Sequence, residues 1–225
     1  MKKKTFSCEL ALLLALGMSS LGIALLNKSG LGVTTSSALP LVLHEIFPAV
    51  SFGLCHNLME FLLLGVTVFI TKRPQVSYLI SVGEGLVFGR LLDLFEVLIA
   101  PLGQSLPLRV VWCVLGFLLM AGSLAFTMNC RLPIQPIDIF CRDVKDHYHI
   151  SLRVFRTGYD LTCLVLCLLL GWLVLGRLAG VGAATFFCAF FTGTTAAWFS
   201  SLLAGRYRFL PSFAFSARFC TPVMG

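Results

Sequence analysis

Six long apolar runs, separated by short charged segments, constrain the fold of this chain more than any other feature. Each run is close to the roughly 20 residues that an α-helix needs to cross a bilayer core. Open strands are excluded there because lipid offers no hydrogen-bond partners, and the runs lack the period-two alternation of a membrane barrel. We therefore predict an all-α polytopic membrane protein. Its six spans are Leu10–Leu26, Phe52–Ile70, Val76–Ala100, Val110–Met128, Val154–Leu175 and Leu178–Leu203.

The composition favours one membrane domain over residues 1–225. Hydrophobic residues make up 58% of the chain and charged residues only 12%, against roughly 25% charged residues in soluble domains. The net charge of +7 does not predict a nucleic-acid partner, because the basic residues lie at the ends of the runs. The nine cysteines lie mostly inside apolar runs and form no CxxC motif, so we expect packing residues and no metal site.

The basic residues also predict the orientation of the chain. With the N-terminus inside, thirteen Lys and Arg residues fall on inner segments and three on outer ones, with Arg90 inside the third span. Cytoplasmic segments carry such an excess, so we expect both termini in the cytoplasm. The basic start resembles a signal peptide, but no clear cleavage site follows, and we expect the first run to remain as a span.

The two halves of the chain follow the same plan. Repeat 1 covers about residues 8–100 and repeat 2 about 108–204, and 205–225 form a cytoplasmic tail; matched positions differ by 100 to 104 residues. Each repeat holds three spans, an odd number, so the second must insert upside down relative to the first. Inverted repeats are typical of secondary transporters. The alternative is a duplicated scaffold with no transport role.

The loop after the first span predicts part of a binding site. Asn27 and two glycines precede Thr34, Thr35 and Ser36, which are good N-cap candidates for a short helix ending near Phe47. Such a helix is too short to cross the bilayer, so it either re-enters the membrane or lies at its surface. A re-entrant helix would direct its partly positive amide end at an anionic group.

The second repeat has a matching loop with different residues. It carries Asn129 and Gln135, and Asp138 is a candidate cap for a second short helix. Pro133 and Pro136 replace the glycines of the first loop. We expect the two loops to be similar in position but not in detail.

Glu60, near the middle of the second span, is the strongest candidate for an ionisable transport residue. His56, Asn57 and Glu60 share one helix face, and a carboxylate at that depth should face the interior of the bundle. Because burial favours the protonated form, Glu60 is a candidate site for a coupling proton. Asp160 is its counterpart in the second repeat. For both residues the alternative is an interior hydrogen bond that fixes helix packing.

The third span carries charged residues and a packing motif. Arg90 and Asp93 are three residues apart, a spacing at which they can pair on a helix. Gly85 and Gly89 form a GxxxG motif, which lets another helix approach closely.

The sequence Gly30-Leu31-Gly32-Val33-Thr34-Thr35-Ser36-Ser37 resembles the YczE/YitT-like group of bacterial membrane proteins. The likeness extends over nearly the whole chain and includes Gly89-Arg90-Leu91-Leu92-Asp93 at the end of the third span. It implies a multi-pass protein of the bacterial cytoplasmic membrane. It implies no biochemical function.

We predict a small-solute transporter or permease with proton or ion coupling and a site between the repeats. One alternative is a substrate-binding subunit like the S-components of vitamin transporters, docking through Ala11 and Ala15; another is an accessory or scaffold protein. No catalytic motif is present, so we expect neither an enzyme nor a cofactor. The predicted substrate-binding residues are Asn27, Thr34, Thr35, Ser36, His56, Asn57, Glu60, Asn129, Gln135 and Asp160.

Overall fold

The computed structural model describes residues 4–72, 76–130, 135–149, 151–177 and 180–210. Within these ranges the chain forms eight α-helices and two short strands. A π-helical turn, Gly171–Leu175, extends the seventh helix. The elements are β1 (Lys4–Ser7), α1 (Cys8–Ser29), α2 (Thr35–Ile46), α3 (Phe52–Thr71), α4 (Val76–Ile99), α5 (Leu106–Asn129), α6 (Pro136–Tyr148), α7 (Leu152–Leu170), α8 (Ala183–Arg206) and β2 (Tyr207–Leu210).

Five of the described helices are long and apolar enough to cross a membrane. They are Cys8–Ser29, Phe52–Thr71, Leu106–Asn129, Val154–Leu175 and Ala183–Arg206. Large apolar side chains cover their outer faces; Phe69 is 82% exposed and Phe190 is 75% exposed. Such faces are costly in water and favourable against lipid. A helical membrane protein was predicted, and these helices agree with it.

The remaining long helix, α4, also has 24 residues. It carries four charged side chains, Glu84, Arg90, Asp93 and Glu96, more than any of the other five. Its interior face is nevertheless part of the main core, where Phe88 and Leu92 are almost completely buried. The two short helices, α2 and α6, have 12 and 13 residues.

The helices pack in pairs that relate the first four to the last four. At the centre α1 packs against α5, and α4 lies beside α1 as α8 lies beside α5. The short helix α6 packs against α3, and the short helix α2 packs against α7. Each short helix therefore lies against a long helix from the other part of the chain.

A two-stranded parallel sheet joins the segment before α1 to the segment after α8. Lys4 pairs with Tyr207 and Ser7 with Leu210, and Phe6 packs against Phe126 and Phe209. No strand was predicted, because these segments lie 203 positions apart and each is too short to give a pattern. The part of the predicted tail beyond residue 210 lies outside the described residues.

Close packing of α3 on α4 depends on two glycines and one carboxylate. A Cβ at Gly53 would lie 2.0 Å from the carbonyl oxygen of Gly89. Asp93 accepts hydrogen bonds of 2.7 Å from the Gly53 amide and from the Ser51 hydroxyl. Asp93 and Arg90, whose spacing allows them to pair, form no ion pair within the described residues. Asp93 caps the positive N-terminus of α3, and Arg90 is exposed.

The glycine-rich loop before α2 packs against the loop before α8. The Val33 amide donates to the Gly180 carbonyl at 3.1 Å, and the Ala184 amide donates to the Leu31 carbonyl at 2.9 Å. Because residues 180–182 form the loop that makes this contact, α8 begins only at Ala183. The predicted span was too long at this end, and its first residue, Leu178, lies outside the described residues.

Candidate functional site

A cavity of about 510 Å³ lies inside the bundle, and all eight helices contribute to its lining. This volume is within the range of sites that bind small organic molecules, roughly 300–1,000 Å³. On the sides of α1 and α5 its walls are mainly apolar, with Leu16, Ile23 and Met120, and include the hydroxyl groups of Ser19, Ser123 and Thr127. Polar and charged side chains come from the short helices and from α3, α4 and α7.

The N-terminus of α2 forms one wall of the cavity. Thr34 occupies the N-cap position in an extended conformation, and its hydroxyl donates to Ser37 Oγ at 3.0 Å. The Thr35 hydroxyl donates to Asp160 Oδ1 of α7 at 3.0 Å. Thr34, Thr35, Ser36 and Asp160 all line the cavity. The carboxylate of Asp160 therefore lies where the partial positive charge of α2 is concentrated.

The N-terminus of α6 forms the facing wall in a similar way. Gln135 immediately precedes this helix, Asp138 lies in its first turn, and both line the cavity. Asp138 pairs with Arg156 of α7 through a hydrogen-bonded salt bridge. This short helix also has a carboxylate at its positive end, and here a guanidinium neutralises that carboxylate as well.

Glu60 and Glu84 bring two more carboxyl groups to the cavity. Glu60 is 3% exposed and Glu84 is 7% exposed. Among the described residues, none donates a hydrogen bond to any of their four oxygens. His56 Nδ1 lies 3.9 Å from Glu60 Oε1, which is beyond hydrogen-bonding distance, and its ring packs on Phe88 with centroids 4.7 Å apart.

The two glutamates come from neighbouring helices at a point of close approach. Glu60 Oε2 lies 2.8 Å from the position that a Cβ would occupy at Gly85, the residue after Glu84. Gly85 therefore leaves the space that the Glu60 side chain fills. The predicted GxxxG motif of α4 thus has two uses: Gly89 admits α3, and Gly85 admits this carboxyl group.

Seven of the ten predicted site residues line the cavity: Thr34, Thr35, Ser36, His56, Glu60, Gln135 and Asp160. The three asparagines lie elsewhere. Asn27 donates to Glu96 Oε1 at 2.9 Å, and Asn129 donates to Ser200 Oγ at 2.8 Å. Asn57 fills the space beside Gly89, where a Cβ would be 2.4 Å from its Nδ2. All three are used at contacts between helices.

Sequence reasoning missed Glu84, Asp138, Arg156 and Tyr159 as lining residues. The repeat contained a signal for two of them. At a constant offset of 100 residues, His56 corresponds to Arg156, and Met59 to Tyr159. His56, Met59, Arg156 and Tyr159 all line the cavity. Glu60 and Asp160, which are also 100 positions apart, line it as well. Glu84 lies outside this correspondence.

Comparison with known proteins places the chain in a family. Residues 6–201 match a family of unknown function, DUF6198. The chain belongs to this family. It is also 25% identical over 193 residues to an uncharacterised protein of Haemophilus influenzae, covering 86% of this chain and 83% of that protein. No solved structure matches the chain. The family carries no described function, and the resemblance to the YczE/YitT-like group stays a prediction.

Proposed function

We propose that the chain is a small-solute transporter whose six spans form two inverted repeats around the cavity. Pairing of β1 with β2 supports the number of spans. It holds the start of α1 and the end of α8 together on one side of the membrane, which requires an even number of crossings. Five apolar helices would give an odd number. At 1.5 Å per residue, α4 is about 36 Å long, enough to supply the sixth crossing.

The paired packing of the helices supports the inverted repeat. The contact of α1 with α4 corresponds to that of α5 with α8, and the contact of α3 with α6 corresponds to that of α2 with α7. With three crossings in each repeat, the second repeat has the opposite orientation. The N-termini of both short helices then meet at one cavity, as in transporters with discontinuous helices.

One observation carries this proposal: residues exactly 100 positions apart in the two halves of the chain converge on one cavity. His56 and Glu60 enter it from α3, while Arg156 and Asp160 enter it from α7. A scaffold has no need for ionisable groups in an interior cavity, because such groups are costly in a membrane. A transporter needs them to bind a solute or ion at mid-depth and to change their charge during the cycle.

In this proposal Glu60 is the ionisable group that binds a coupling proton. It lies at the contact of α3 with α4 and near the N-terminus of α6, so it faces elements of both repeats. Relative motion of the repeats would change its exposure. We further propose a bacterial cytoplasmic-membrane location with both termini inside, from the distribution of basic residues.

The alternative of an S-component-like subunit is less favoured, because its expected docking residues, Ala11 and Ala15, are buried. Ala11 is fully buried and Ala15 is 4% exposed, and the Ser123 hydroxyl of α5 donates to the Ala15 carbonyl at 2.7 Å. These small residues pack α1 inside the chain and are not available to a partner subunit. We therefore favour a transporter that acts without an ATPase.

A thermal-stability screen of the detergent-purified chain against a library of small metabolites tests this function. A solute at 100 times its Kd should stabilise the folded state by about 2.7 kcal/mol. We expect the solute to raise the melting temperature of the wild type and of Glu45→Gln, since Glu45 pairs with Arg177 away from the cavity. The melting temperature of Glu60→Gln should not rise. An equal shift in Glu60→Gln, or no shift with any compound, would contradict the proposal.

A further inference from the structure

The charges already neutralised in the cavity indicate which charge a solute can carry. The N-termini of α2 and α6 would each favour an anion. Each already has a carboxylate of the chain beside it, because Asp160 accepts from Thr35 and Asp138 lies in the first turn of α6. The guanidinium of Arg156 is likewise occupied by Asp138. The groups that would attract an anion are therefore in use.

Glu60 and Glu84, in contrast, have neither a hydrogen-bond donor nor a guanidinium as a partner among the described residues. Both are more than nine-tenths buried, and all four of their oxygens lack a hydrogen bond from the described residues. Both line the cavity, on neighbouring helices that approach closely at Gly85. Two unpaired carboxylates at such buried positions are strongly unfavourable, whereas a bound cation with N–H donors would satisfy their charges and their oxygens together.

We propose that the solute is an organic cation, with an ammonium or guanidinium group that binds between Glu60 and Glu84. This inference rests on the proposed function and names the solute class for the same cavity. An organic cation fits better than a metal ion, because the described residues contain no group of three His, Cys, Asp or Glu side chains placed to hold a metal. Phe88, Met59 and Leu63 line the cavity on the same helices and would contact an apolar body.

Binding of the cation exchanges it for a proton. Without solute, at least one of Glu60 and Glu84 holds a proton, since two neighbouring buried charges of one sign are unfavourable. When the cation binds, one O–H bond breaks, the proton leaves to solvent, and the carboxylate pairs with the cation, so the site's net charge is unchanged. Protons and solute then compete, and apparent affinity falls as pH is lowered. The other ionisable groups facing the cavity are His56, Asp138, Arg156, Tyr159, Asp160 and Cys188.

Three probes of similar shape and different charge test the inference: benzylguanidinium, neutral benzylurea and anionic phenylacetate. Binding to the purified full chain is measured by calorimetry in two buffers of different ionisation enthalpy, which gives the number of protons released. We expect benzylguanidinium to bind at least about tenfold more tightly than the other two, with about one proton released. Glu60→Gln should weaken its binding by a similar factor, and Glu45→Gln should not.

The outcomes separate the solute class from transport itself. Preferential binding of phenylacetate or benzylurea would overturn the inference and leave a transporter of another solute. Failure of all three to bind a well-folded protein would also overturn it. If Glu60→Gln does not fold, Glu84→Gln is measured in the same way, and unchanged binding in that variant counts against the site. Binding of benzylguanidinium with proton release, but without its passage into proteoliposomes, would uphold the cation site and contradict the transport function.

Discussion

Replacing Gly53 with alanine is expected to lower the melting temperature of the purified protein by about 5 °C or more. The added methyl group would lie 2.0 Å from the Gly89 carbonyl oxygen and 2.8 Å from the Asp93 carboxyl group. Neither neighbour can move freely, because one is helix backbone and the other caps α3. The helices must separate, which also moves Glu60 away from Gly85.

Gly65→Ala is the matched control on the same helix. Within the part of the chain that the structure describes, a Cβ at Gly65 would meet no atom within 4 Å, and alanine is a better helix former than glycine. We expect its melting temperature to equal or exceed that of the wild type. Equal melting temperatures for Gly53→Ala and Gly65→Ala would show that α3 and α4 do not pack as closely as described.

Gly32→Ala is expected to destabilise the protein by a similar or larger amount, for two separate reasons. Gly32 has φ of +111°, a backbone conformation that costs other residues about 1–3 kcal/mol. A Cβ there would also lie 2.6 Å from the Gly182 amide nitrogen and 2.5 Å from Thr185 Oγ1. The substitution should separate the loop before α2 from the loop before α8 and displace Thr35 from Asp160.

Gly176→Ala separates the cost of the backbone conformation from the cost of the steric clash. Gly176 has φ of +64°, but a Cβ there would meet no atom of the described residues within 4 Å. Only the conformational cost should appear, about 1–2 kcal/mol. Thermal melting of both variants checks this: the loss for Gly32→Ala should be at least about twice that for Gly176→Ala. Equal losses would mean that the loop contact contributes nothing to stability.

The long helices and the interior position of Glu60 follow from rules that act locally. Hydrophobic runs predict helices in lipid, and a carboxylate in mid-span must face away from lipid. Gly30, Gly32 and the Thr-rich segment predicted the start of α2 because turn and cap preferences depend on neighbouring residues. For the same reason the short helix was predicted to end near residue 47, and α2 ends at Ile46.

The other residues of the site depend on which helix surfaces pack together, and hydrophobic periodicity does not determine which helices are neighbours. Asn27 and Asn129 follow polar patterns typical of a binding loop, but tertiary packing directs them to Glu96 and Ser200. Glu84 was not among the predicted site residues, since it is one of four charged residues in its span. It faces the cavity because Gly85 and Gly89 bring α4 against α3. The repeat offset could have identified Arg156, had it been applied at exactly 100 residues throughout.

Counterflow of radiolabelled benzylguanidinium into proteoliposomes is the most direct test of a cation site inside a transporter. Vesicles containing the protein are loaded with unlabelled probe and diluted into a trace of labelled probe at equal pH. A transporter with its site at Glu60 and Glu84 predicts transient accumulation of label with the wild type and Glu45→Gln, and none with Glu60→Gln. No accumulation by the folded wild type would contradict transport of this cation, and equal accumulation by Glu60→Gln would contradict a solute site at Glu60.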